Sequence, residues 1–291
     1  MVEYQLLRAH SLEEVLEILA EKDKVEILAG GTDLMVELHQ QDEKFEDIDY
    51  LLDITDVEEL KGIKLGAETG EIGALTTHSE LISSKEIKEK LPFIAAAASS
   101  IGSTQIRNRA TIGGNLANAA ACADSFSPLI ALGAELVLRS KGGTRRVLLE
   151  DFVEWPFQTI KKNNEVVEKI LFKMPQGEYY SSYQKIGRRK ALSISRISLT
   201  LLAEVENGAV KKAQVASGAA TPFPVPFRKV NKYLNGKTYA EVDPIEAGNI
   251  AADEMVGITG ERWSTPYKRP AMGKLVERAV ADLLEEAGYN G

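Results

Sequence analysis

Apolar residues along the first fifty or so positions change period more than once. Leu12, Val15, Leu16 and Leu19 recur at helical spacing behind Ser11. Glu14, three residues after that serine, completes a capping-box pattern, which predicts a helix ending near Lys22. "KVEILAG" is rich in β-branched and aliphatic residues and reads as a short strand. "DLMVELHQQ" returns to a helical pattern, and "DYLLDIT" reads as another strand. By pattern alone, residues 1 to about 55 form a small βαβ-type unit.

The texture then changes. "GEIGALTT" is strand-like, and Thr77 with Glu80 makes a second capping box for a short helix. "LPFIAAAASSIG" predicts a buried helix begun by Pro92. The stretch "STQIRNRATIGGNLANAAACADSFSP" has no clear period, yet it is too apolar for a disordered linker. "AELVLRS" and "TRRVLLEDF" predict two strands joined by a tight glycine turn, and "VVEKILFKMP" a further strand stopped by Pro175. A boundary is expected at "PQGE", residues 175–178, dividing residues 1–176 from residues 177–291. Beyond it, two strand-like runs flank Asn207-Gly208, a hairpin signal. "TPFPVPF" is a rigid connector, and helices are expected near 238–253 and 270–287. There is no internal repeat and no low-complexity segment.

A chain of 291 residues with 44% hydrophobic and 27% charged residues has the composition of an ordinary globular protein with room for two domains. The net charge of −8 argues against nucleic acid as a partner. No apolar run approaches the roughly 20 residues that span a bilayer, and "MVEYQLLRAHSLEE" lacks the pattern of a secretory signal. The single cysteine, Cys122, excludes an internal disulfide and any cysteine-rich metal or iron–sulfur site within the chain. Set among alanines, it reads as a small packing residue, and a cytoplasmic protein is expected.

Candidate chemistry begins at "ILAGGTDL", residues 27–34, where strand, Gly30-Gly31, Thr32-Asp33 and helix follow one another. Such a turn can converge main-chain N–H groups on an anion, and glycine leaves the anion free to approach the backbone. It also reads as a plain strand–helix turn capped by Thr32 or Asp33. The pattern is neither GxGxxG nor a P-loop. "TIGGNL", Thr111 to Leu116, repeats the theme, and two such loops would suit the two phosphates of a dinucleotide. Arg107 of "QIRNRA" would meet phosphate or lock the loop, and "QKIGRRK" places Lys185, Arg188, Arg189 and Lys190 together as a basic run or a solvated face. His10, His39 and His78 lie apart, with no ligand-spaced partner, and read as surface or cap residues. No acid, base, nucleophile or metal site is evident, which suits a protein whose cofactor carries the reaction.

Taken together, "ILAGGTDL" (27–34), "QIRNRATIGGN" (105–115), "ADS" (123–125) and "YQKIGRRKALSIS" (183–195) resemble the FAD-binding (medium) subunits of molybdenum hydroxylases of the xanthine, carbon monoxide and nicotinate dehydrogenase type. The order and spacing of these motifs agree over essentially the whole chain. The resemblance implies an α+β protein. It would have the vanillyl-alcohol-oxidase-type (PCMH) two-subdomain FAD-binding fold over residues 1–176, with subdomains of about 1–55 and 56–176. A C-terminal domain over 177–291, like that of the CO dehydrogenase flavoprotein, would carry a three-stranded sheet plus helices.

The resemblance also implies site residues. Ile27, Leu28, Ala29, Gly30, Gly31, Thr32, Asp33 and Leu34 would bind the FAD diphosphate together with Thr111, Ile112, Gly113, Gly114 and Asn115. Ile101 of "SSIGS" would line the adenine or ribose, and Asp124 would contact FAD. Val167 and Lys185 would lie near the isoalloxazine, where a cation stabilises the reduced ring. No residue of this chain is implied to be catalytic or a metal ligand, and FAD would be bound non-covalently, since the loops offer no histidine. Molybdopterin and [2Fe–2S] clusters would belong to a large and a small partner subunit. Electrons would reach FAD from those clusters and leave to NAD+ or another acceptor, with a purine or other N-heterocycle as the hydroxylated substrate. A stand-alone FAD-dependent oxidoreductase acting directly on a small substrate is the competing expectation.

Overall fold

The protein is described here from a computed structural model covering residues 4–40, 47–189 and 192–289. Gln41 of the expected second helix and Lys190 of the basic run fall outside the described residues. The chain opens with a strand that the hydrophobic pattern does not mark, β1 (Gln5–Arg8), followed by α1 (Leu12–Glu21), β2 (Val25–Leu28), α2 (Leu34–His39) and β3 (Tyr50–Asp53). Both β1 and β2 pair in parallel with β3, giving the order β1-β3-β2. Ser11 caps α1 by accepting the Glu14 N–H, and α1 ends at Lys22. The Glu14 carboxylate returns to the N–H of His10 instead of Ser11, so half of the expected capping box is displaced by one residue.

The second unit holds β4 (Ile63–Leu65), β5 (Thr69–Gly73), α3 (His78–Ser83), α4 (Lys85–Lys90), α5 (Pro92–Ser99), α6 (Thr104–Arg107), α7 (Ile112–Asn118) and α8 (Phe126–Ala131). It continues through β6 (Glu135–Ser140), β7 (Gly143–Leu148), the small hairpin β8 (Val153–Trp155) and β9 (Gln158–Thr159), and β10 (Val166–Lys173). The antiparallel order β4-β5-β10-β6-β7 places late-arriving β10 at the centre of the sheet. The aperiodic stretch after residue 102 consists of the three short helices α6, α7 and α8. Each is too short to display a full amphipathic period. Thr77 and Glu80 do form the complete capping box of α3.

The remainder consists of β11 (Glu178–Gly187), β12 (Ser195–Glu206), β13 (Ala209–Ser217), β14 (Val225–Pro226), α9 (Arg228–Leu234), α10 (Pro244–Thr259) and α11 (Thr265–Glu286). Three long antiparallel strands carry a two-residue fourth, β14, at one edge, within the expected connector. Asn207 and Gly208, both at positive φ, form the β12–β13 turn. Strand alternation gives this sheet two buried faces. Ile197, Leu199, Leu201 and Ala203 pack with α9–α11, while Leu202 and Ala216 join the core of the preceding unit. Across the latter face the hydroxyls of Ser127 and Thr200 hydrogen-bond at 3.0 Å.

His78 corrects one expectation. It is neither a surface residue nor the cap of α3 but the residue after the cap, with 0% of its surface exposed and both ring nitrogens without a partner among the described residues. Burial, aided by the charge of Arg107, holds its pKa at about 4 instead of 6.5. Between those values the unfolded chain binds a proton that the folded chain refuses, so stability falls as pH falls through this window. Relative to pH 7, His78 is expected to lower wild-type stability by roughly 2 kcal/mol at pH 5. Urea unfolding at the two pH values checks this, with His78→Leu expected to lose correspondingly less.

Candidate cofactor site

Strand β2 ends at Leu28, and five residues separate it from α2. Gly31 makes the reversal at φ +69°, a left-handed conformation open to glycine at little cost. The main-chain N–H groups of Gly30, Gly31 and Thr32 donate no hydrogen bond among the described residues. Asp33 sits at the N-cap of α2 without making a side-chain cap bond, and its carboxylate accepts from Asn118 Nδ2 at 3.3 Å.

The second loop is built differently. Thr111 caps α7, its hydroxyl accepting the Gly114 N–H at 3.1 Å. The N–H groups of Ile112, Gly113 and Asn115 donate to Thr76 O, Ala74 O and Thr111 O at 2.9, 2.8 and 3.0 Å. All four amides are therefore engaged within the protein. The expected pair of equivalent phosphate cradles resolves into one loop with free amides and one whose amides hold the fold. What the second loop offers is the side chain of Asn115, whose buried Oδ1 has no partner among the described residues. Its glycines answer to packing as well. A Cβ on Gly113 would lie 2.5 Å from Ala74 Cβ, and one on Gly30 only 2.0 Å from Arg109 O.

Between the loops lies a cavity of about 400 Å³. Ile27, Ala29, Gly30, Gly31, Thr32, Asp33 and Leu34 line it from the first side, and Thr111, Gly113, Gly114 and Asn115 from the second. Val167 of β10 closes its floor with Val166. Leu28 and Ile112 do not line it: Leu28 packs against the Leu38–Ile48–Leu51 cluster and Ile112 into the main core.

Two further lining residues carry no signal in the sequence. Phe157 stands at the cavity with φ +64°, its N–H donating to the carbonyl of Ala119, itself left-handed, at 3.0 Å. A bulky residue in that conformation is strained. Lys161, which in "IKKNN" reads as part of an exposed loop, is the only cation lining the cavity among the described residues. Neither histidine nor cysteine lines it.

Ile101, Asp124 and Lys185 gather elsewhere. The buried Asp124 carboxylate accepts from Tyr183 OH at 2.8 Å, Lys185 Nζ at 2.7 Å and Ser195 Oγ at 2.5 Å. Lys185 also donates to Ser100 O at 2.9 Å. Burial and the adjacent Asp124 push the Tyr183 hydroxyl pKa upward, so Tyr183 stays a donor. Lys185 thus enters the site as half of an ion pair, and Val167, expected beside it, lines the other cavity. Arg107 does not reach out to an anion. Its guanidinium donates to Ile101 O, Gly102 O and Thr104 Oγ1 at 2.9, 3.0 and 3.2 Å, locking the turn before α6. Burial, with help from Asp124, raises the Cys122 pKa, which makes a reactive thiolate unfavourable.

A loop with free amides, a facing orphan acceptor and a strained aromatic in one cleft define a binding protein for an extended anionic cofactor. Two family descriptions match the chain: "FAD binding domain in molybdopterin dehydrogenase" over residues 2–175 and "CO dehydrogenase flavoprotein C-terminal domain" over residues 181–283. A xanthine dehydrogenase FAD-binding subunit of Escherichia coli O157:H7 is 35% identical, over 75% of this chain and 74% of its own. The nicotinate dehydrogenase FAD-subunit of Eubacterium barkeri is 30% identical over 100% of both chains. Among solved structures, carbon monoxide dehydrogenase from Hydrogenophaga pseudoflava superposes with a TM-score of 0.87 at 27% identity, over 97% of each chain. The chain belongs to the FAD-binding subunits of the molybdenum hydroxylase family. It is an oxidoreductase subunit, and FAD is its cofactor.

Because Gly30 and Gly113 face protein atoms, Gly30→Ala and Gly113→Ala are each expected to destabilise the flavin-free chain by about 1–3 kcal/mol. Urea unfolding without flavin checks this. Unchanged stability in both variants would mean that these close approaches do not restrict the fold.

Proposed function

We propose that the cleft between the two loops holds FAD non-covalently, with its diphosphate against Gly30, Gly31 and Thr32 and a polar group of the cofactor donating to Asn115. The observation that carries this reading is the pairing of three unengaged amides with the buried, unpartnered Asn115 Oδ1 across one cavity. Buried polar atoms without partners are rare in folded proteins, and a ligand supplies the missing one. Leu34, Val166 and Val167 give the cavity apolar contact, while outside it Ile101 would line the adenine or ribose and the Asp124–Lys185 pair would lie towards the flavin. Leu28 and Ile112 act by packing behind the loops. A division at residues 176/177 belongs to this reading, supported by family matches that end at 175 and resume at 181.

When bound, FAD supplies a two-electron store that couples one-electron iron–sulfur donors to a two-electron acceptor. This chain's residues bind it, orient it and exclude water from its diphosphate. The donors are [2Fe–2S] clusters of a small partner subunit, and a large partner subunit carries molybdopterin. The names of relatives as FAD-binding subunits and medium chains support such partners. NAD+ is the proposed acceptor, and a purine or other N-heterocycle the substrate of the complex, in keeping with the xanthine, nicotinate and caffeine dehydrogenases among the relatives. A cytoplasmic setting completes the proposal. No helix among the described residues is long and apolar enough to cross a membrane.

Asn115→Leu separates binding from folding. It removes an acceptor that has no protein partner, so the flavin-free chain is expected to unfold at the same or a higher urea concentration. FAD affinity, read by quenching of flavin fluorescence, is expected to fall by about tenfold. Undiminished FAD affinity in the variant would contradict the placement. For the acceptor, anaerobic NADH is expected to bleach the flavin absorption of the purified complex. An unbleached flavin would exclude NAD+ and direct the search to another acceptor.

A further inference from the structure

Resting on that reading of the cleft, we infer that Lys161 is the counter-charge for the FAD diphosphate, a third arm of the site supplied by the segment between β9 and β10. Among the described residues the Lys161 ammonium is the only cation that lines the cavity, alongside the carboxylates of Glu26, Asp33 and Glu37.

That ammonium is positioned but not neutralised. Its Nζ donates to the carbonyls of Lys162 and Glu165 at 3.2 and 3.3 Å, which leaves one of its three N–H groups without a protein acceptor. It forms no salt bridge among the described residues. The nearest carboxylate in sequence, Glu165, is taken by Arg145, which donates to both of its oxygens at 2.7 and 2.9 Å. Arg145 also holds Ile160 O at 2.6 Å, and Glu165 accepts the Lys162 N–H at 2.8 Å. The Arg145–Glu165 fork thus braces the residues on both sides of Lys161 while keeping the Glu165 carboxylate from its ammonium.

Burial depresses the Lys161 pKa, against the opposing pull of Glu26 and Glu165. An ammonium held in that state gains most from an anion brought to it. The free amides of Gly30, Gly31 and Thr32 open onto the same space, so a diphosphate lying there meets donors from both sides. A purely structural role, tying Lys162 O and Glu165 O together, would use Lys161 without requiring it to line the cavity.

The test uses the full chain stripped of flavin, titrated with FAD and separately challenged with ADP as a competitor that carries the diphosphate but no flavin. Lys161→Met is expected to weaken both FAD and ADP by about tenfold or more, the loss of one charge-assisted hydrogen bond. Lys161→Arg is expected to restore most of the affinity, and the unfolding midpoint of flavin-free Lys161→Met to stay close to wild type. Wild-type affinity for FAD in Lys161→Met would overturn the inference while leaving the cleft as the FAD site. So would a loss for FAD without one for ADP, or a loss matched by a lowered unfolding midpoint. Failure of the wild-type chain to bind either FAD or ADP would instead overturn the reading of the cleft, and Lys161's role with it.

Discussion

The carbonyl of Arg109 lies where a Cβ on Gly30 would have to be, and much of the site depends on that absence. The contact sets the β2–α2 loop directly against the main chain that leads into α7. The Arg109–Thr111 segment is itself held from behind. Ala110 O accepts the His78 N–H at 3.1 Å, Ala110 N–H donates to Ile106 O at 2.7 Å, and Thr111 bridges to Thr77. Two units of unlike topology, one parallel and one antiparallel, are thereby joined backbone to backbone. The joint explains why a histidine with two unpartnered nitrogens persists in the core. His78 occupies the first turn of the helix whose N-terminus braces the joint, where its main chain is required even though its ring finds no partner.

The second consequence is a division of labour between two loops that look alike. A double glycine after β2 leaves three amides free, whereas the double glycine at the start of α7 sits in a segment whose four successive amides are all consumed. The difference arises from the neighbours. The α7 turn lies against Ala74 and Thr76, whose carbonyls accept from it, while the amides of the β2 loop meet no acceptor among the described residues. The cavity forms on that side, and the strained Phe157 stands at it. Strain concentrated where a ligand approaches is the usual arrangement in binding sites.

How much of this was legible in the chain depended on range. The capping serine and threonine, the Asn207-Gly208 hairpin and the strand-then-glycine turn of the first loop are local signals, and each formed its element. Strand β1 escaped because "QLLR" is four residues long, with no alternation to set it apart. Helices α6 to α8 escaped because four to seven residues cannot show a helical period. Gly30 and Gly113 were visible as glycines, but the reason for them was not. Arg109 lies far from Gly30 in sequence, and only the folded chain shows that the missing Cβ makes room for protein. Lys161 was hidden for the same reason. "IKKNN" has the composition of a solvated loop, and only the folded chain shows that Lys161 lines the cavity while Arg145 holds Glu165.

Lys161 and Lys185 thus stand in different electrostatic states, and the contrast follows from what their neighbours already do. Lys185 is paired at 2.7 Å with Asp124, whose carboxylate also accepts from two hydroxyls. Removing either partner would leave a buried charge alone, so the pair is fixed in place and close to neutral as seen from a distance. Lys161 has the reverse arrangement, with the neighbouring Glu165 carboxylate claimed by an arginine and its own ammonium held by two carbonyls. In a chain of net charge −8, an anion gains nothing from the long-range field and must be held by local donors. The Lys161 ammonium, with one N–H unengaged among the described residues, stands at the cavity that Gly30, Gly31 and Thr32 also line, and is such a local arrangement. On the proposed placement of FAD, the Lys185–Asp124 pair would shape the flavin end of the site without competing for the diphosphate.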